Sequence, residues 1–291
     1  MTAKFFGQFL LERGRINREE LLVAVELQRH VNVKLGTLAV DRGYMKAADV
    51  ETVNKLQRTV DKKFGELAVE KGFLTDAKVE ELLADQKQER LLLGEALVKK
   101  DFLTFEILAE ELEAFRKDQQ SVPSTVSEVY ARKPGAEVLE VFADTAAKMF
   151  TRIADETVKA GPCFHDAASA RLHDFSIRQE FLGGFKGLVV LNLTEDLLRR
   201  LASKMLEEDV ADAGEDAQDG ACEFLNIVSG NVCAKLSAMG KVTEIQPPEA
   251  CDNRSGEPFG LAEAAAGARL TVTPLLHPES GVELVLIDRS D

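Results

Sequence analysis

The 291-residue chain contains no tryptophan and only two tyrosines. Aromatic platforms on which single-stranded bases could stack are therefore scarce. Positive charge is in short supply too: 36 Lys and Arg stand against 50 Asp and Glu, a net charge of −14. A nucleic-acid backbone or an anionic membrane surface demands clustered Lys and Arg, so both count as poor partners. No apolar run approaches the length of a membrane span. The opening stretch MTAKFFGQFLLERGRINREE has no apolar core long enough for a signal peptide. The four cysteines, Cys163, Cys222, Cys233 and Cys251, show no CxxC spacing. That usage fits reduced, buried thiols and a cytoplasmic location. Cys163 and His165 lack further ligands at a suitable spacing, so no metal site is expected. His165 and His173 have no partner acid or nucleophile and receive no role.

What is there divides in two. The length suggests about two domains, and the charge is shared unequally. Residues 1–120 hold 20 basic and 22 acidic side chains, a net −2, which leaves −12 for the remainder. In the first half, four stretches align: FGQFLLERGRINREELLVAVELQ, LGTLAVDRGYMKAADVETVNKLQ, FGELAVEKGFLTDAKVEELLADQ and LGEALVKKDFLTFEILAEELEAF. Their first glycines, Gly7, Gly36, Gly65 and Gly94, are spaced by 29 residues. A second column reads Gly14, Gly43, Gly72 and Asp101, and a third Gln28, Gln57, Gln86 and Phe115. A fixed period across three columns is the mark of a repeat architecture.

Each unit reads as a short helix ended by the second glycine, then a longer helix. Asn17, Thr75 or Thr104 can cap the longer one, with Glu20 completing a capping box. Single units cannot bury their apolar faces alone, so they must stack. The expectation is an all-α repeat module over residues 1–118. These repeats resemble the N-terminal domain of type II secretion and type IV pilus assembly ATPases. Some members of that family bind cyclic di-GMP. The basic residue that the family sets before Leu-Gly is matched by Lys34 and Lys63 alone, which makes them the candidate nucleotide contacts. Docking to a secretion, pilus or motility protein is the other use open to such a module.

A polar, Pro- and Ser-containing linker is expected over 119–136. Beyond it, 137–291 reads as an α+β domain, an antiparallel sheet covered by helices. A helix is expected from about Glu137 to Lys159, with Val138, Val141, Phe142, Ala146, Met149 and Ile153 as its apolar stripe. IRQEFLGGFKGLVVLNLT reads as two strands around Gly183-Gly184, EDLLRRLASKMLEE as a helix, and LTVTPLL with VELVLID as a hairpin around 278–281. The acidic run from Asp209 to Gly220 reads as a solvated loop, and residues 249–268 as a loose insertion.

The segment 219–239 carries the chemistry. On a helical wheel, Leu225, Val228, Val232, Leu236 and Met239 share a core stripe, while Asp219, Glu223, Asn226 and Gly230 lie opposite. Glu223 and Asn226 are neighbours at i, i+3. Gly230, without a side chain, leaves room for another molecule, and Ile227 adds an apolar contact on the same outer side. Asn231 stands at the edge of the core stripe, where a structural role and a partner contact are both open. Asp219 is equally suited to capping the helix. A side-chain amide both donates and accepts hydrogen bonds, so it can hold a water in line with a leaving group. A carboxylate beside it can grip a partner's lysine.

Asp219, Glu223 and Asn226, followed by Gly230-Asn231 and Pro247-Pro248, resemble the CheC/CheX/FliY class of chemotaxis phosphatases, CheX in particular. GFKGLVVLNL, LASKMLEED and the PL…GVELVL hairpin extend the likeness over roughly 135–289. The resemblance implies hydrolysis of phosphoaspartate on a CheY-type response-regulator receiver. Asn226 would orient the water and Glu223 pair with the receiver's lysine, while Asp219, Ile227, Gly230 and Asn231 contact the partner. Mg²⁺ would belong to the receiver, with no cofactor on this chain, and relatives are homodimers. The alternative is a non-catalytic adaptor that binds a receiver through this domain and cyclic di-GMP or an assembly protein through the repeats.

Overall fold

The computed structural model describes residues 4–119, 136–161, 163–165, 170, 172–255, 258–277 and 281–290. Two compact units part between residues 121 and 122. Most of the linker expected over 119–136 lies outside the described residues, as do Pro162 and most of the turn at 278–281.

The first unit is built from short and long helices in alternation. The short ones are α1 (Phe6–Glu12), α3 (Leu35–Asp41), α5 (Phe64–Glu70) and α7 (Leu93–Lys99). The long ones are α2 (Arg18–Val31), α4 (Ala47–Thr59), α6 (Asp76–Glu89) and α8 (Phe105–Gln119). Asn17 accepts from the backbone N–H of Glu20, Thr75 from Lys78 and Thr104 from Ile107, each an N-cap bond that satisfies a first-turn donor. Glycines of the first column sit where the two helices of a repeat cross. A Cβ on Gly36 would stand 2.7 Å from Val50 Cγ1, and Gly7, Gly65 and Gly94 meet Leu21, Val79 and Leu108 in the same way. The second column occupies the left-handed region, with φ of 64°, 69° and 72° at Gly14, Gly43 and Gly72, and 60° at Asp101.

The repeats pack as two pairs. Leu38, Ala39, Met45 and Val53 of the second repeat share a core with Leu67, Ala68, Leu74 and Leu82 of the third. Leu10, Ile16, Leu21 and Ala24 of the first share one with Ala96, Leu97 and Leu103 of the fourth. Glutamines of the third column tie these cores to backbone: Gln28 donates to the carbonyl of Leu91 and Gln86 to that of Val33.

The second unit is a seven-stranded antiparallel sheet with its long helices over one face. Helix α9 (Ala136–Met149) continues as a π-helical turn, Phe150–Ala154, and stops there. The helix expected to reach Lys159 is thus shorter. Asp155 turns left-handed at φ 58°, and Lys159–Ala160 becomes strand β1. The reason is tertiary. Glu156, buried beyond the helix end, accepts from Arg200 Nε at 2.7 Å and lies 2.8 Å from His277 Nε2.

Strands β2 (Phe175–Gly183) and β3 (Gly187–Leu193) form the expected hairpin. Helix α10 (Glu195–Leu206) follows, then α11 (Glu215–Ala238), β4 (Thr243–Ile245), β5 (Glu249–Asp252), the single turn α12 (Leu261–Ala264), β6 (Arg269–Leu276) and β7 (Val282–Asp288). The order across the sheet is β1-β6-β7-β3-β2, with β4 and β5 sharing the outer side of β2. Central β3 is buried at all seven positions, which explains why its sequence does not alternate; its one polar side chain, Asn192, accepts from Ser176 Oγ at 2.7 Å.

Two further expectations are corrected. The acidic run 209–220 is a loop only as far as Gly214. Glu215–Gly220 opens α11, because Ala217 and Gly220 are buried against α10, and a Cβ on Gly220 would lie 2.9 Å from Ala202. The 249–268 segment is not loose. It supplies β5 and places Phe259 and Leu261 against Leu188, Val190, Leu270, Val272, Val285 and Ile287 on the sheet's second face. Burying that apolar surface is what holds the segment down.

Candidate functional site

Helix α11 is amphipathic in a lopsided way. Leu225, Val228, Val232 and Leu236 are buried as the wheel requires, and Ala221, Phe224 and Ser229 widen the buried face because α9, α10 and the sheet all meet it. Met239 does not belong to the stripe: it caps the helix end and is exposed. On the opposite side, Asp219, Glu223 and Gly230 are exposed, and a Cβ on Gly230 would meet nothing within 4 Å. Asp219 is not the N-cap. The helix starts one turn earlier, after Gly214. Ile227 is half-buried and packs on the core's margin instead of standing on the outer side. Asn231 Nδ2 donates to the carbonyl of Ile227 at 2.9 Å, one turn back along its own helix.

Asn226 is half-buried, and its setting depends on the sheet. Strand β2 pairs with β5 through Phe175–Arg178 and with β4 through Phe181–Gly183. Between these two pairings the chain runs Gln246-Pro247-Pro248, and the prolines have no N–H to offer a ladder. The edge strand is therefore split opposite Gln179 and Glu180, with a bond from Gln246 N to the carbonyl of Glu180 at its margin. Gln179 points inward from the split, between the core residues Ile177 and Phe181, and is 1% exposed. Its Nε2 donates to the carbonyl of Gln246 at 2.8 Å and to Asn226 Oδ1 at 3.0 Å.

These two bonds settle the polarity of both amides. A backbone carbonyl can only accept, so the Gln179 atom facing Gln246 is the nitrogen. That nitrogen also faces Asn226, so the Asn226 atom facing it is the oxygen. Asn226 Nδ2 is then turned away from Gln179, and it has no hydrogen-bond partner among the described residues.

The surroundings are anionic. Asp219 and Glu223 line the exposed side of α11. Burial pushes the Cys222 thiol up to about 11, and the negative charges of Asp219 and Glu249 add to that effect. Glu249 is paired with Arg178. Among the described residues, no group of three or more His, Cys, Asp or Glu could hold a metal ion. All four cysteines are half-buried thiols outside any disulfide. His165 Nδ1 lies 3.3 Å from the Leu270 carbonyl and from Thr271 Oγ1, a structural contact. In the first unit, Lys34 and Lys63 are exposed and stand just before α3 and α5, in two repeats that share one core. No helix among the described residues is long and apolar enough to cross a membrane.

The sequence pattern singled out Glu223 and Asn226 but not Gln179 or Gln246, whose contacts orient the Asn226 side chain. The signal was present: an amide at an inward position of an alternating strand, between Ile177 and Phe181.

Residues 175–265 match the family model for the chemotaxis phosphatase CheX. A search of curated proteins found no match. Similar solved structures include a CheX protein of Desulfovibrio desulfuricans, 17% identical, covering 53% of this chain and 99% of that one, with a TM-score of 0.46. A CheX protein of Vibrio vulnificus is 16% identical over 53% of this chain and 99% of its own, TM-score 0.47. The CheX–CheY–BeF₃–Mg²⁺ complex of Borrelia burgdorferi contributes a chain 20% identical, with 53% and 98% covered and a TM-score of 0.45. Helices over an antiparallel sheet, with a chemotaxis-phosphatase match across the strands and helix that carry Gln179, Glu223 and Asn226, make the second unit CheX-like.

Proposed function

We propose that the second unit hydrolyses the phosphoaspartate of a response-regulator receiver. One observation carries the reading: the oxygen of the Asn226 amide is anchored inside the fold, and its N–H groups face away from that anchor, one helical turn from the exposed Glu223. An amide held in this way can donate to one lone pair of a water and leave the other directed at phosphorus. The water oxygen attacks, the P–O bond to the receiver's aspartate breaks, and the water's proton passes to the phosphoryl group. The products are inorganic phosphate and a free receiver carboxylate. Positioning dominates such reactions, because phosphoryl transfer asks for little covalent help.

The anionic rim fits a substrate that brings its own cations. Asp219 and Glu223 would repel a bare phosphate. A receiver supplies Mg²⁺ and a lysine at its phosphorylated aspartate, and Glu223 would pair with that lysine. Gly230 leaves space for the partner's backbone, with Asp219 at the margin of the same surface. Such receivers act in the cytoplasm, which would be the chain's compartment.

The test uses the full chain with Mg²⁺-bound receivers phosphorylated by acetyl phosphate, following release of inorganic phosphate. Acceleration over the receiver's own decay is expected for at least one receiver from the same genome. Asn226→Ala should lower the rate by about a hundredfold. Glu223→Ala should raise KM more than it lowers kcat. Loss of phosphate at the spontaneous rate with every receiver would overturn the proposal.

A further inference from the structure

We infer that Gln179 is the positioning residue that sets the polarity of the Asn226 amide. This inference rests on the phosphatase reading and deepens it. A free asparagine side chain can turn its amide over, presenting oxygen or nitrogen to a water with little preference. Here one nitrogen, buried in the sheet, donates to both a backbone carbonyl and Asn226 Oδ1. The carbonyl of Gln246 cannot reverse its role, so Gln179 cannot turn over, and Asn226 inherits the constraint. Pro247 and Pro248 contribute by keeping the edge strand split opposite Gln179, so the Gln246 carbonyl is available to a side chain.

The cost is visible. Gln179 Oε1 is buried and has no hydrogen-bond partner among the described residues. An unpaired buried acceptor is unfavourable, and an apolar side chain between Ile177 and Phe181 would avoid it. An arrangement that leaves one amide atom unsatisfied while ordering a half-exposed amide is what a site requires and a core does not. It also matches the chemistry, since a water accepting from Nδ2–H keeps its second lone pair for phosphorus.

The experiment measures kcat and KM for the full chain on acetyl-phosphate-phosphorylated, Mg²⁺-bound receivers, with Gln179→Met, Asn226→Ala and the double variant. Gln179→Met keeps length and removes the donor. Its kcat should fall about tenfold while KM stays within about twofold. In the Asn226→Ala background the same change should have almost no further effect, because a residue acting through Asn226 has nothing left to act on. Gln179→Glu serves as the second variant: it keeps the shape, supplies no N–H, and should also lose kcat. Full kcat in both Gln179 variants, or an equal loss with and without Asn226, overturns the inference while the phosphatase reading stands. A wild-type chain inert towards every receiver overturns both.

Discussion

Glu111 and Gln179 are both polar side chains where the local pattern calls for an apolar one, and each is 1% exposed. Glu111 stands in the column that holds Ala24, Val53 and Leu82 in the other repeats, all fully buried. Gln179 stands between Ile177 and Phe181 on the inward side of β2. Each finds its partner far along the chain. Glu111 accepts from Arg13 Nε and Arg15 Nε, both at 2.6 Å, and from Arg13 Nη2 at 3.2 Å. Arg15 is itself a departure, for the other repeats carry Tyr44, Phe73 and Phe102 in its column. These two departures from the repeat pattern are thus partners of one another, and together they close the first repeat on the fourth. The difference lies in how each set of bonds ends. Both Glu111 oxygens are paired, so the group is a lock. The bonds of Gln179 leave one of its own atoms unpaired and end on a half-exposed amide with an open donor. A closed polar group stabilises, and an open one is available to a ligand.

Substitutions can break that contrast. Asn226→Ala should have the largest effect on activity, about a hundredfold loss of phosphate release, with a melting temperature close to wild type because the residue is only half-buried. Glu111→Ala should do the reverse. It should leave the second unit's activity intact and destabilise the first unit by about 2–4 kcal/mol, seen as an earlier denaturant transition in the 4–119 region. Equal stability losses in the two variants would erase the distinction.

A pH titration sharpens it. The hydrogen bond from Arg13 holds the Glu111 carboxyl below the usual carboxylate range, working against burial and assisted by Arg15. A carboxyl whose folded value is depressed stabilises above its unfolded pKa of about 4.3, and that contribution is lost as pH falls through the lower folded value. Glu156 behaves alike: burial pushes it up, yet its bonds from His277 and Arg200 outweigh this and bring it below the ordinary value. Both units should therefore lose stability below about pH 4. Glu111→Gln should flatten that acid slope in the first unit alone, as followed by denaturant melts between pH 3 and 6. Asp101→Gly should have the smallest effect. It places a glycine at φ 60° and should stabilise by about 0.5–1 kcal/mol in thermal melts.

Much of the repeat unit was legible because its signals are local. A glycine every 29 residues, an Asn or Thr ahead of a helix, and apolar residues at helical spacing act within a few turns of themselves. The hairpins around Gly183-Gly184 and before β7 were legible for the same reason. The misread segments were those whose fate depends on distant neighbours. The end of α9 is set by the burial of Glu156 beside His277 and Arg200. The start of α11 is set by Gly220 packing on Ala202. The 249–268 segment is ordered by Phe259 and Leu261 on a sheet face supplied by three other strands.

The candidate site divides along the same line. The amino-acid sequence on its own determined that Glu223 and Asn226 share one side of a helix, because 3.6 residues per turn permits nothing else for an i, i+3 pair. It also determined that a proline pair follows at 247–248. Only the tertiary structure decided which way the Asn226 amide is turned. That choice belongs to a nitrogen 47 residues away on another element and to a carbonyl freed where the edge strand divides, and hydrogen-bond polarity between elements has no period that a linear pattern can carry.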